Sequence, residues 1–274
     1  MTEPHTGGCG RRLVLFLIAI GGLTLLAAIF WGEEYLRGVL PRPFPDFPTS
    51  APYAPWSTPL AATDFDFPLQ PSASYGPYVQ GQTGPLAVDT RYDVQNPALG
   101  DRHNCFQDVH GAPVPFSQLY HAGVDLFALD DAGHVVWGLA KHAPVYAVAE
   151  GITVFVVDAG SDGHVVGVEH HLPDGGLVYS VYWHVTQVQV TPGQPVSRGQ
   201  IIAAVYDMGA NSHLHWEMRT FLDGTHIFPP GTAGARGTCN RQIIGVGYTW
   251  DDDPLRAHPG FYGYLDPIQF VQNR

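Results

Sequence analysis

Beyond residue 100 the chain carries no stretch with apolar residues three and four apart over the length of a normal amphipathic helix, and this absence constrains its fold more than any other feature. In place of helices stand short runs rich in Val, Tyr and Ile, bounded by Gly, Asp and Pro: "GITVFVVDAG" (151–160), "GHVVGVEHH" (163–171) and "GLVYSVYWHV" (176–185). "HLPDGG" between the second and third is a turn signal, and "VQVTPGQPVSRGQIIAAV" (188–205) reads as two strands joined at a Pro/Gly turn. The expected fold is all-β, an antiparallel sandwich or open barrel over residues 99–274, with loops carrying the chemistry.

Upstream the composition changes twice. Residues 13–31 (LVLFLIAIGGLTLLAAIFW) are uncharged and, as a helix, long enough to cross a hydrocarbon core of roughly 30 Å. A cleaved signal peptide is the rival reading. Against it, the segment after the run (Ile29, Phe30, Trp31, Gly32, Glu33) lacks a small-x-small cleavage site, and Cys9 precedes the run rather than following it. Arg37 and Arg42 nearly balance Arg11 and Arg12, but the latter pair sits flush against the run. The expected arrangement is a cytoplasmic tail (1–12), a single membrane anchor (13–31) and the remainder outside the cytoplasm. Twelve of the 24 prolines fall between Pro41 and Pro97, so 32–98 reads as a linker or stalk. Its aromatics (Phe44, Phe47, Trp56, Phe65, Phe67, Tyr75, Tyr78) are unusual for a solvated spacer, and part of it is expected to pack along the globular domain. The formal charge of −12, with Lys141 the single lysine, argues against a nucleic-acid partner. Cys105 and Cys239, the two cysteines beyond the membrane run, read equally as a bridged pair or as two unrelated buried thiols.

Three places concentrate metal-competent side chains. In "HAGVD" (121–125), Gly123 argues for a turn leading into the strand "VDLFAL" rather than for a helix. In "VYSVYWHV" (178–185), strict alternation puts Val178, Ser180, Tyr182 and His184 on one face. In "NSHLHWEMR" (211–219), His213, His215, Glu217 and Arg219 share one face, and Leu214, Trp216 and Met218 the other. Taken singly, a strand histidine is more often a hydrogen-bonded or surface residue than a ligand. Together, the histidine faces are expected to line one cleft. His170 and His171 read as surface residues of a turn, and Asp251–Asp253 as a solvated turn rather than a calcium loop.

The segments "HAGVDL", "YWH" and "HLHWE", in that order, resemble the signatures of the lysostaphin-type (LytM-like) zinc endopeptidases, which cut peptide cross-links in bacterial peptidoglycan. The likeness runs from about 117 to 219, with "PVYAVAEGITVF" and "VTPGQPVSRGQIIAAV" similar to the family's connecting strands and "YLDPIQFV" to its closing strand. It implies that His121, Asp125 and His215 ligate one zinc ion and that His184 and His213 form an unligated catalytic pair. Such a ligand set leaves a tetrahedral zinc with one open position for water, the pattern of a catalytic site. No H-E-x-x-H supplies a glutamate base, so the neighbouring histidines are expected to move the proton. Tyr182 is expected to contact substrate or support a ligand. The approach to the H-x-H departs from the family, with Asn211 and Ser212 where Gly-Pro is usual. Residues 221–262 form a long insertion holding His226, Cys239 and His258, expected to lie over one side of the cleft.

The implied function is that of a membrane-anchored zinc endopeptidase acting on peptidoglycan cross-link peptides from the outer side of the cell membrane. Its rival is a catalytically silent module of the same fold that activates another wall hydrolase through a protein partner. Silent relatives typically lack ligands, and this chain keeps all three. "PGQPVSRGQ" also looks like a biotinyl-carrier hairpin, but Lys141 lies well upstream of the tip such a carrier would modify.

Overall fold

The structure is a computed structural model and describes residues 60–82, 84, 88–100, 106, 108, 110, 112–222 and 247–274. The expected tail and anchor, Cys105, Cys239 and His226 lie outside the described residues. Among the described residues no helix is long and apolar enough to cross a membrane.

The described residues fold mostly as antiparallel β-sheet. Its strands are β1 (Tyr75–Gly76), β2 (Tyr120–His121), β3 (Val124–Ala128), β4 (Pro144–Tyr146), β5 (Gly151–Asp158) and β6 (His164–His171), followed by β7 (Leu177–Thr186), β8 (Pro195–Val196), β9 (Ile201–Val205), β10 (Leu214–Arg219), β11 (Tyr248–Thr249) and β12 (Tyr264–Leu265). One sheet runs β1-β3-β10-β7-β6-β5-β8, with β12 on β10 and with β9 joining β7 to β4. β2 and β11 pair separately. Two short helices, α1 (Pro254–Ala257) and α2 (Pro267–Gln272), follow β11 and β12.

Alternation along β10 decides where the core sits. Leu214, Trp216 and Met218 point into a cluster with Val124 and Leu126 of β3, Val166 and Val168 of β6, Tyr182 of β7, and Ile202 and Val205 of β9. Full burial of each such side chain stabilises by roughly 1.5–3 kcal/mol relative to exposure. The second half of the proline-rich stretch is built into this core. Ala62, Phe65 and Leu69 are buried in it, Phe65 meets Phe270 edge-on at 5.0 Å, and β1 pairs with β3.

Two local readings are corrected. "YLDPIQFV" is not one closing strand: only Tyr264 and Leu265 pair with β10. Asp266 then accepts from the backbone N–H groups of Ile268 (2.9 Å) and Gln269 (3.1 Å), and with Pro267 in the first turn it starts α2. His170 and His171 end β6 rather than occupying a turn. His170 is fully buried, with Nδ1 2.8 Å from the Glu150 carbonyl oxygen and Nε2 2.8 Å from Ser180 Oγ, while His171 pairs with Glu169 at 2.9 Å.

Candidate metal centre

The pairing of β3 with β10 sets His215 opposite Asp125, and the pairing of β10 with β7 sets His215 opposite Trp183. The turn between β2 and β3 brings His121 to the same point. A Cβ at Gly123 would lie 2.5 Å from the Trp216 carbonyl oxygen and 2.9 Å from His215 Nε2, so only glycine fits this turn. His121, Asp125, His213 and His215 are 1%, 9%, 6% and 4% exposed.

Three atoms converge. His215 Nδ1 lies 2.8 Å from Asp125 Oδ1 and 2.9 Å from His121 Nε2, and His121 Nε2 lies 3.2 Å from the same Asp125 oxygen. Each ring's other nitrogen has a partner of its own: His121 Nδ1 is 3.2 Å from the Arg91 carbonyl oxygen, and His215 Nε2 is 3.1 Å from Glu217 Oε1. His213 and His184 flank this point, their rings 4.9 Å apart. Their Nδ1 atoms face the carbonyl oxygens of Asn211 (2.6 Å) and Asp162 (3.1 Å), which fixes the ring proton on Nδ1 and leaves Nε2 as the free base. His213 Nε2 stands 3.7 Å from Asp125 Oδ1, and its ring stacks on Phe127 at 4.8 Å.

The electrostatics separate the two sets. Burial opposes ionisation of Asp125, but His121 and His213 beside it and hydrogen bonds from His121 and His215 outweigh that and hold its carboxyl well below the usual range. Burial also opposes protonation of His215, yet hydrogen bonds to Asp125 and Glu217 raise it to about 9. His184 is pulled down to about 3 by burial and by His213 and His215, and burial lowers His213 despite Asp125.

All five predicted site residues therefore meet, but Tyr182 does not join them. It is fully buried in the core, its hydroxyl 2.9 Å from Ser180 Oγ and 3.1 Å from the Val148 N–H. Strict alternation had placed His184 on Tyr182's face. Instead, β7 takes three steps (Tyr182 to Val185) where β6 takes two (Val166 to His164), a bulge with His184 at φ 57°. A bulge re-aims one side chain without shifting the rest, so Tyr182 and Val185 both stay in the core while His184 turns to the histidine side.

Sequence reasoning gave no role to three further contributors. Glu217 was visible on the histidine face but unassigned. Arg91 acts through a backbone carbonyl, which leaves no side-chain signal. Tyr248 of β11 pairs with His121 and holds its ring 5.2 Å away. The described end of the insertion thus lies along β2, which carries His121. Asp251 there is held by Arg256 (2.7 Å) and Tyr262 (3.1 Å), and His258 pairs with Asp93 at 2.8 Å.

The donor set suits zinc: two imidazole nitrogens and one carboxylate oxygen, 2.8–3.2 Å apart. A tetrahedral ion with bonds near 2.0–2.1 Å holds its ligand atoms roughly 3.3 Å apart.

A buried trio of this kind, carried on three strands of an antiparallel fold with two imidazoles beside it, is a candidate metal centre. Residues 120–229 match the model of Peptidase family M23. Similar solved structures include a zinc-containing peptidase from Vibrio cholerae (24% identity, TM-score 0.33, covering 57% of this chain and 37% of that one). A chain of the SpoIIQ–SpoIIIAH pore-forming complex is 21% identical (TM-score 0.35, 58% and 84%). The catalytic domain of lysostaphin from Staphylococcus simulans is 19% identical (TM-score 0.31, 56% and 80%). The chain spans little more than a third of the Vibrio cholerae protein and of a putative M23 peptidase from Pseudomonas aeruginosa.

Proposed function

We propose that this chain is a membrane-anchored, zinc-dependent endopeptidase that hydrolyses peptide bonds in bacterial peptidoglycan. The observation that carries the reading is the convergence of His121 Nε2, Asp125 Oδ1 and His215 Nδ1 on one point, with two further imidazoles beside it whose Nδ1 atoms are taken up by backbone carbonyls. His121, Asp125 and His215 would hold the ion, which would supply Lewis-acid chemistry: activation of a water and polarisation of the scissile carbonyl.

The residues of the chain do the rest. Asp125 brings its negative charge and aligns His215. His184 and His213, kept neutral by burial, offer Nε2 as hydrogen-bond acceptors that orient a water at the site and take up its proton as negative charge develops on the carbonyl oxygen. The bulge at His184 and the ring of Phe127 under His213 fix where those bases stand. Residues 13–31 anchor the chain with 1–12 in the cytoplasm, the proline-rich stretch before Leu60 serves as spacer, and the peptidase unit outside the cytoplasm comprises 99–274, with 221–262 inserted, together with the segment around Ala62–Gly76 that packs into its core and sheet.

The test uses the full chain in detergent on purified wall sacculi, with metal content measured alongside. The expected result is about one zinc per chain, together with release of peptide fragments that a chelator abolishes and added zinc restores; mass spectrometry of the fragments identifies the bond cut. A zinc-loaded chain that leaves every wall peptide intact overturns the enzyme reading and favours the silent, partner-activating module.

A further inference from the structure

We propose that Glu217 is the positioning residue of the metal centre: through a buried clamp with Trp183 and Arg219 it fixes His215 so that Nδ1, rather than Nε2, faces Asp125 and His121. The inference rests on the reading of His215 as a zinc ligand.

A histidine ligates through either nitrogen, and the hydrogen bond made by the other nitrogen decides which. His121 and His215 present opposite nitrogens to the shared point, Nε2 and Nδ1 respectively. For His121 the deciding partner is the Arg91 carbonyl. For His215 it is Glu217 Oε1 at 3.1 Å, which accepts the Nε2 proton.

Glu217 is itself held from both sides. The Trp183 indole N–H donates to Oε1 at 3.0 Å, and Arg219 donates from a guanidinium nitrogen to Oε2 at 3.4 Å. Strand register explains the reach. Trp183 stands opposite His215 and on its face, so its indole meets the residue two further along β10. Arg219 is anchored in turn by the Leu222 carbonyl (3.2 Å) and by the ring of Phe221 (4.9 Å). Glu217 and Arg219 are both 0% exposed. Gly247 closes the contact, since a Cβ there would sit 3.1 Å from His215 Nε2 and 3.8 Å from Glu217 Oε1.

Burying a carboxylate and a guanidinium is expensive, and well-packed apolar residues of similar volume commonly serve stability as well or better. What apolar replacements cannot do is accept a proton from His215 Nε2. Without that acceptor the ring is free to adopt the other tautomer or to turn, and Nδ1 is no longer pinned at the ligand point.

The experiment measures zinc affinity of the full chain by competition with a chromophoric chelator, and thermal unfolding of the metal-free forms. Glu217→Met combined with Arg219→Leu removes both charges together. It is expected to bind zinc about 10- to 100-fold more weakly and to unfold in the metal-free form close to the parent. Glu217→Gln keeps an amide oxygen for His215 and Trp183 and is expected to restore affinity to within about threefold of the parent, with the parent's cobalt-substituted absorption spectrum. Parent affinity in the double variant overturns the proposal, and so does an equal loss in Glu217→Gln. Should the double variant not fold, Trp183→Phe removes the indole donor alone. A several-fold weaker affinity at unchanged metal-free stability supports the clamp, and unchanged affinity overturns it. A parent chain that binds no zinc overturns the metal reading and this inference together, whereas zinc bound equally by parent and variants sinks the inference alone.

Discussion

Two buried histidine clusters lie on opposite faces of the same sheet. On the core face, His170 Nδ1 meets the Glu150 carbonyl, Nε2 meets Ser180 Oγ, Ser180 meets the Tyr182 hydroxyl, and that hydroxyl takes the Val148 N–H. Each atom has a complementary partner in a chain that closes with His170 neutral, and burial pulls His170 down to about 4. On the other face, two imidazole nitrogens and a carboxylate oxygen crowd within 2.8–3.2 Å. Those atoms lack mutual complements, and only protons or a cation can reconcile them. Burial alone does not distinguish a ligand from a structural histidine. Convergent lone pairs do.

Breaking the unmatched cluster carries the largest expected effect. Asp125→Ala or His215→Ala removes one of the three proposed ligands, so bound zinc and wall hydrolysis should disappear together, as read by metal analysis and sacculus clearing. A variant that keeps stoichiometric zinc would remove that residue from the ligand set. His184→Ala and His213→Ala come next: zinc should stay, and turnover should fall by about 10²–10⁴, the usual worth of a general acid–base group. Hydrolysis at the parent rate in either variant would move the proton-transfer role elsewhere.

The pH dependence sharpens the same contrast. In the metal-free protein His215 is raised to about 9, so below that pH a proton occupies the site and must leave when zinc arrives. Apparent zinc affinity should weaken as pH falls below 9, by about tenfold per unit while one proton is displaced. Without metal the sign reverses. A group raised from 6.5 to about 9 favours the folded state fully below pH 6.5, and that contribution is lost as pH rises through 9. Chelator titrations and urea melts at several pH values read the two trends, and an affinity flat between pH 7 and 9 would contradict a protonated His215.

Much of this is legible in the sequence. Period-2 alternation in "HLHWEMR" separated Leu214, Trp216 and Met218 from His213, His215, Glu217 and Arg219, and the structure keeps that division. The family resemblance carried by "HAGVD", "YWH" and "HLH" implied the five residues that meet. The same rule failed at His184 because alternation assumes an unbroken ladder, and one extra residue in β7 shifts the parity. It failed again for Tyr182, whose polarity is satisfied inside the core rather than at the site. "VEHHLP" and "HLHWE" offer similar histidine doublets, and only tertiary partners separate them: Ser180 and Glu150 for one, Asp125 and His121 for the other. Arg91 was beyond reach because a main-chain carbonyl is common to every residue type.

The smallest expected effect tests whether the two faces are independent. His170→Leu fills the same space with an apolar side chain but leaves the Glu150 carbonyl and Ser180 Oγ short of a partner, so stability should fall by about 1–3 kcal/mol. Ser180 can still turn to Tyr182, which favours the lower end of that range. Zinc affinity should stay at the parent value, because neither His170 nor its partners touch the ligand face. A loss of zinc binding comparable to that of the double variant at Glu217 and Arg219 would mean that β7 transmits strain between its faces, and the separation between a satisfied histidine and a ligating one would then be a property of the whole sheet rather than of the atoms around each ring.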